Sequence, residues 1–150
     1  MPILPQSAGL RVVAIGGGTG LSTLLRGLKR HAAPPAAQPG ADDLPCLIRD
    51  LAAVVTVTDD GGSSGRLRED LHVPPPGDVR SCMVALSEDE HLLARLFQYR
   101  FQHGELDGHS FGNLFLAALS GITGDFAQAV QMSSQILAAR GRIYPATNSD

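Results

Sequence analysis

Two short apolar runs in this chain each lead directly into a glycine-rich polar segment. Residues 12–15 are followed by glycines through Gly20, and residues 54–57 are followed by an acidic segment that extends to Arg66. Runs of β-branched residues without alternation are typical of strands buried on both faces, as in a parallel sheet covered by helices. Because ligands bind beyond the carboxyl ends of such strands, we expect both polar segments to line one crevice.

Helical periodicity dominates the rest of the chain, and the pattern predicts an α/β fold. The predicted strands are 11–15, 51–58 and 142–144, and the predicted helices are 20–29 (beginning at Gly20 or Leu21), 67–72, 78–86, 91–101, 110–122 and 125–140. Three strands are fewer than a sheet flanked by six helices usually contains. The chain is therefore predicted to be a leader, 1–10, followed by the N-terminal half of one larger domain, 11–150.

Composition and charge narrow the class of protein. Hydrophobic residues make up 43% and charged residues 18%, which is a normal globular balance. The net charge of -3 and the absence of a basic stripe argue against nucleic acid as a partner. No apolar run approaches the ~20 residues that span a bilayer, and no signal-peptide pattern opens the sequence. Cys46 and Cys82 are isolated and are expected to be reduced, so we predict a cytoplasmic enzyme or binding protein.

The first glycine segment, 16–20, is a candidate phosphate site. It lacks the lysine of a P-loop, and Leu21 stands where a dinucleotide fingerprint has its third glycine. A strand, a glycine turn and a helix start can nevertheless bind phosphate through backbone N–H groups. The candidate ligand-binding residues here are Gly17, Gly18, Thr19 and Gly20. The alternative is a tight strand-to-helix turn that holds no ligand.

The second segment carries side chains that can bind a ligand or take part in a reaction. Asp59 and Asp60 could accept hydrogen bonds from a ribose hydroxyl or hold a divalent cation such as Mg²⁺, whereas Asp-Gly is also ordinary turn chemistry. The neighbouring donors predicted to bind ligand are Gly61, Gly62, Ser63, Ser64 and Arg66. Arg66 could instead form a surface salt bridge.

Two further helix starts carry polar side chains. Arg80 could reach a phosphate and Asp78 is a candidate for the same site, although the two could equally be an exposed charge and a helix cap. His109 and Asn113 lie four residues apart at the start of an otherwise apolar helix, where polar groups need partners and a ligand is one candidate. A capping histidine bonded to the backbone is the alternative. No Ser-His-Asp triad or Cys-His pair has convincing spacing.

Six segments taken together carry a resemblance to a known family. The segments are 12–22, 58–68, 75–80, 97–101, 108–114 and 122–126. In this order they look like the YvcK-type gluconeogenesis factors, a group related to the CofD-type 2-phospho-L-lactate transferases of deazaflavin coenzyme synthesis.

The resemblance implies a Rossmann-like fold, a cytoplasmic location and a ligand of the UDP-N-acetylglucosamine type. It implies a regulator needed for growth on gluconeogenic carbon sources and for cell shape, with a UDP-sugar or another nucleotide as partner and neither nucleic acid nor membrane. A homo-oligomer and the use of Mg²⁺ stay open. The alternative is a CofD-like transferase that moves a phosphoester from a nucleotide-activated donor, in which Asp59 and Asp60 would be the catalytic and metal-binding residues.

Overall fold

A computed structural model describes residues 9–33, 46–59, 61–88 and 92–149. These residues form a parallel sheet of three strands in the order β1-β2-β3. The strands are β1 (Leu10–Gly16), β2 (Ile48–Val55) and β3 (Arg142–Pro145), and the helices are α1 (Gly18–Lys29), α2 (Gly62–Leu71), α3 (Gly77–Leu86), α4 (Leu92–Gln98), α5 (Phe111–Thr123) and α6 (Phe126–Ile136). The expectation of an α/β fold with a parallel sheet flanked by helices is confirmed.

The two faces of the sheet differ in burial. In the register of the strands, Ala14 of β1 pairs with Ala53 of β2, which pairs with Ile143 of β3. All three are buried in the core with side chains of α1, α3 and α6. On the opposite face Val13 is 62% exposed and Ile15 is 76% exposed. The expectation of strands buried on both faces is therefore wrong for β1, whose second face presents Val13 and Ile15 to solvent, whereas Ala52 of β2 on that same face is 8% exposed.

Several element boundaries differ from the sequence expectation. The helices α1 and α2 begin at Gly18 and Gly62, so residues expected in loops form the first turns of helices. The third helix begins after Pro76 as its N-cap, so Asp78 lies within the first turn and is not the cap. The last helix ends at Ile136, before the expected Arg140.

Leu10, expected in the leader, instead begins β1 and donates its N–H to the carbonyl of Leu47 at 2.8 Å. Residues 1–8 of the predicted leader lie outside the described residues. None of the helices in the described ranges is long and apolar enough to span a bilayer. Cys82 is buried, which raises the pKa of its thiol to about 12, and Cys46 is also free.

Candidate functional site

Four helices begin next to one another at the carboxyl ends of β1 and β2. Gly18 of α1 donates its backbone N–H to the carboxylate of Asp78 in the first turn of α3. Asn113 in the first turn of α5 donates through Nδ2 to Ser64 Oγ of α2, at 3.4 Å. Helix N-termini carry partial positive charge and unpaired N–H groups. The arrangement is suited to bind an anion.

Asp59 connects the end of β2 to α2 and α3. Its Oδ1 accepts the N–H of Gly61 at 3.0 Å, and its Oδ2 accepts the hydroxyl of Ser64 at 3.1 Å. A Cβ at Gly77 would overlap both Asp59 Oδ2 and Ser64 Oγ. Gly77 is therefore required for the close approach of α3 to this carboxylate.

Asp78 faces the first glycine segment. A Cβ placed on Gly17 would lie 3.4 Å from Asp78 Oδ2, and it would overlap Thr56 Oγ1. Burial, followed by the negative charge of Asp59, raises the pKa of Asp78, while the N–H of Gly18 and the charge of Arg80 oppose the shift. The two neighbouring carboxylates give the crevice hydrogen-bond acceptors of the kind that sugar hydroxyls need.

Ser63 and His109 form a buried pair. Ser63 Oγ lies 2.8 Å from His109 Nδ1, and the exposed fractions of the residues are 3% and 7%. Burial and then the charge of Arg66 lower the pKa of His109, against the opposing charge of Asp70. The lowered pKa favours the neutral imidazole, which can share this hydrogen bond as either donor or acceptor.

The first turn of α5 joins this network through Asn113. Ser110 is the N-cap of α5, and its Oγ accepts the N–H of Asn113 at 3.1 Å. The Asn113 side chain accepts at Oδ1 from Arg80 Nε at 2.9 Å. The alternative in which His109 is a capping residue is therefore wrong, because Ser110 has that role and the side chain of His109 bonds to Ser63 instead.

Most of the sequence-predicted residues come together in this network, and a few lie at its edge. Hydrogen bonds join Gly18 to Asp78 and Ser63 to His109, and they link Gly61, Asp59, Ser64, Asn113 and Arg80 in one series, while Gly17 lies next to Asp78. Thr19, Gly20 and Gly62 are exposed at the starts of α1 and α2. Arg66 donates to the carbonyl of Asp107 at 2.8 Å rather than to a carboxylate. Asp60 lies outside the described residues, and the ligand-binding roles of all these residues stay predictions.

No individual role is predicted from the sequence for Arg100, Gly77 or Gly112. Arg100 donates from Nη1 to the carbonyl of Gly108 at 2.6 Å, beside His109. A Cβ on Gly112 would lie 2.7 Å from the carbonyl oxygen of Phe97 and 2.8 Å from Arg80 Cδ. Arg100 lies in segment 97–101 and Gly112 in segment 108–114, so the resemblance marked both regions without singling these residues out.

The site has no ready-made set of metal ligands in the part of the chain that the structure describes. No group of three or more His, Cys, Asp and Glu side chains there could hold a metal ion. The predicted Mg²⁺ pair includes Asp60, so the structure does not test it.

A family model described as 2-phospho-L-lactate transferase CofD matches residues 12–150. The chain belongs to the CofD family. Two curated relatives are named gluconeogenesis factor. The one from Halalkalibacterium halodurans is 53% identical over 91% of this chain, and the one from Bacillus subtilis is 50% identical over 93%.

A solved structure supports the CofD-family fold directly. It is a Bacillus halodurans protein described as a member of the upf0052 family, and it superposes with a TM-score of 0.77 at 51% identity over 94% of this chain. The chain covers 41% of that structure, and 38% and 39% of the two curated relatives. It thus spans about two fifths of the length of these proteins, as the low number of strands led us to expect.

Proposed function

We propose that this protein binds a nucleotide sugar of the UDP-N-acetylglucosamine type and acts as a cytoplasmic regulator, a gluconeogenesis factor. The observation that carries the proposal is the meeting of the first turns of α1, α2, α3 and α5 at the carboxyl ends of β1 and β2. A diphosphate needs several N–H donors and positive potential in one place, and clustered helix N-termini supply both.

The neighbouring side chains suit the remainder of such a ligand. Arg80 is half-buried and bonded to Asn113 in the first turn of α5, and it supplies a guanidinium for the phosphates. Asp59 and Asp78 supply carboxylate oxygens, which accept hydrogen bonds from the hydroxyls of ribose or of the sugar. The two kinds of group lie within one network, so a ligand carrying both phosphates and hydroxyls fits it better than a simple anion does.

The regulatory role is supported by the names of the relatives. Gluconeogenesis factors at 50% and 53% identity cover more than nine tenths of this chain. We propose the same role here, in growth on gluconeogenic carbon sources and in cell shape through the supply of nucleotide sugar.

The test is a calorimetric titration of the full-length protein with UDP-N-acetylglucosamine, GDP and NAD. We expect saturable binding of the UDP-sugar, and weaker binding or none of the other two. Gly18→Val should weaken that binding by at least ~10-fold, because the side chain would stand where the phosphate approaches the backbone. Wild-type affinity in this variant would contradict the phosphate role of the glycine segment, and no UDP-sugar binding by the wild type would contradict the function.

A matched control separates the loss of contact from backbone strain. Gly18 has φ +62°, and Gly124, at the far end of α5, has φ +69°. Valine at either position is strained by roughly 1–2 kcal/mol, since both hold left-handed backbone. Gly124→Val should therefore lower the melting temperature about as much as Gly18→Val and leave UDP-sugar affinity unchanged.

The family description favours one other function, a 2-phospho-L-lactate transferase. In that case Asp59 would accept the proton of the attacking hydroxyl. With a nucleotide-activated phospholactate, a deazaflavin acceptor and Mg²⁺, the wild type would show turnover, and Asp59→Asn would abolish turnover while leaving nucleotide affinity within a few fold. If no turnover occurs in the wild type, the binding function stands.

A further inference from the structure

Two arginines flank the first turn of α5, and the proposed function uses only one of them. The side chain of Arg80 crosses the backbone of Gly112, and its Nε donates to Asn113 Oδ1 at 2.9 Å. The backbone at Arg100 pairs with Ser110, the N-cap of α5, and Arg100 Nη1 donates to the carbonyl of Gly108 at 2.6 Å. Both guanidiniums are thus positioned by the same helix start.

The bonds that position these two arginines use neutral oxygens. Within the described ranges, every salt bridge at N···O distances up to 4.0 Å involves other arginines, namely Arg11, Arg140 and Arg142. The negative charges of Asp59 and Asp78 attract Arg80 through space, without a salt bridge to it. Each guanidinium has five N–H donors, and the oxygen contacts described here engage only one or two of them.

The two charges also act on each other. Burial, followed by the positive charge of Arg100, lowers the pKa of Arg80. A third cation, Arg66, reaches the same loop and donates to the carbonyl of Asp107. Like charges near one another repel, and an oxyanion bound between them reduces that repulsion.

We propose that Arg80 and Arg100, with the first turn of α5 between them, form a subsite for a phosphate group. This subsite shares Arg80 with the proposed nucleotide site and adds Arg100 as a binding residue. Guanidinium groups match phosphate through paired N–H···O bonds, and the α5 N-terminus adds its partial positive charge. The proposal goes beyond the nucleotide-sugar function, because it requires a phosphate site whichever nucleotide is bound.

The test uses inorganic phosphate as the probe and the full-length protein without nucleotide. Phosphate binding is followed by ³¹P NMR titration for the wild type, Arg100→Gln and Arg100→Lys. Loss of a charged, paired contact should weaken binding by at least ~10-fold in Arg100→Gln. The lysine variant should fall between glutamine and wild type, since it keeps the charge but loses the planar fork.

Arg95→Gln is the matched control, because Arg95 is an exposed arginine on α4. Its phosphate affinity should equal that of the wild type, and thermal melts should show that all variants are folded. Equal phosphate affinity in Arg100→Gln and wild type would overturn the subsite, as would an equal loss in Arg95→Gln. The outcome is separate from the UDP-sugar titration, so either proposal can fail without the other.

Discussion

At the scale of single residues, Asp78 shows how the site costs stability. Its pKa is raised by burial and by Asp59, whereas in the unfolded chain the carboxyl keeps its ordinary value of 3.8. A raised pKa in the folded state contributes stability that is full below pH 3.8 and is lost as the pH rises through the folded value. At neutral pH the charged Asp78 therefore opposes folding.

Asp78→Asn should raise the melting temperature at pH 7. Asparagine removes the charge but keeps an oxygen for the N–H of Gly18. Because the carboxyl is partly exposed and screened by solvent, we expect an increase on the order of 1–2 °C. Thermal melts from pH 7 down to pH 4 should show the increase shrinking toward zero at low pH. Glu69→Gln, at an exposed position on α2, is the control and should have no effect. A lower melting temperature for Asp78→Asn at pH 7 would show that the carboxylate stabilises the fold.

At the scale of elements, the two glycines of α5, Gly112 and Gly121, differ in how closely other atoms approach them. Gly112 faces Phe97 and Arg80, with space for no side chain, while a Cβ on Gly121 would meet nothing within 4 Å. Gly112 thus allows α4 and α3 to approach the first turn of α5, where Arg80 reaches Asn113. A side chain would therefore be excluded at Gly112 and accommodated at Gly121, a difference that the sequence alone does not reveal.

Alanine at these two positions should shift stability in opposite directions. Gly112→Ala should lower the free energy of unfolding by roughly 1–3 kcal/mol, because its Cβ would overlap the Phe97 carbonyl and Arg80. Gly121→Ala should raise it by roughly 0.5–1 kcal/mol, because alanine is the better helix former and has room. Urea denaturation measures both. A similar change in the two variants would mean that contact at Gly112 is not what sets its identity.

The strands and helices could largely be predicted from the sequence, whereas the helix starts could not. Periodic apolar residues such as Leu21 and Leu25 located α1, and both are buried. The pattern gave no signal that Gly18 and Gly62 begin helices, because glycine is a poor helix former and these turns are held by contacts from other elements. The Ser63–His109 bond joins residues 46 positions apart, and no local pattern could reveal it.

At the scale of the whole molecule, one face of the sheet is partly open to solvent. Val13 and Ile15 of β1 are mostly exposed, and Tyr144 of β3 is 39% exposed on the same face. Asp50 accepts from Arg142 Nη2 at 2.7 Å and lies 3.6 Å from Arg11 Nε, so an ionic cluster borders the apolar side chains. An apolar surface of this kind promotes association.

The 150-residue chain alone is expected to self-associate through this face. Val13→Thr combined with Ile15→Thr should reduce association, because threonine keeps the strand preference and removes apolar surface. Ile122→Thr, at the 81% exposed end of α5, is the control and should leave association unchanged. Sedimentation velocity measures the three chains. If Ile122→Thr reduces association as much as the double change, the contact surface lies on α5 instead.

The crossover from β2 to β3 has a consequence for the time course of folding. β2 ends at Val55 and β3 begins at Arg142, and the helices α2 to α6 lie between them in the chain. Pairing such distant strands incurs a large loss of loop entropy before any strand contact is gained, so topologies of this kind acquire their native state slowly. We therefore expect the helical contacts between α5 and α6 to form early. The pairing of β2 with β3, the shortest strand of the sheet, would come last and would set the rate of refolding.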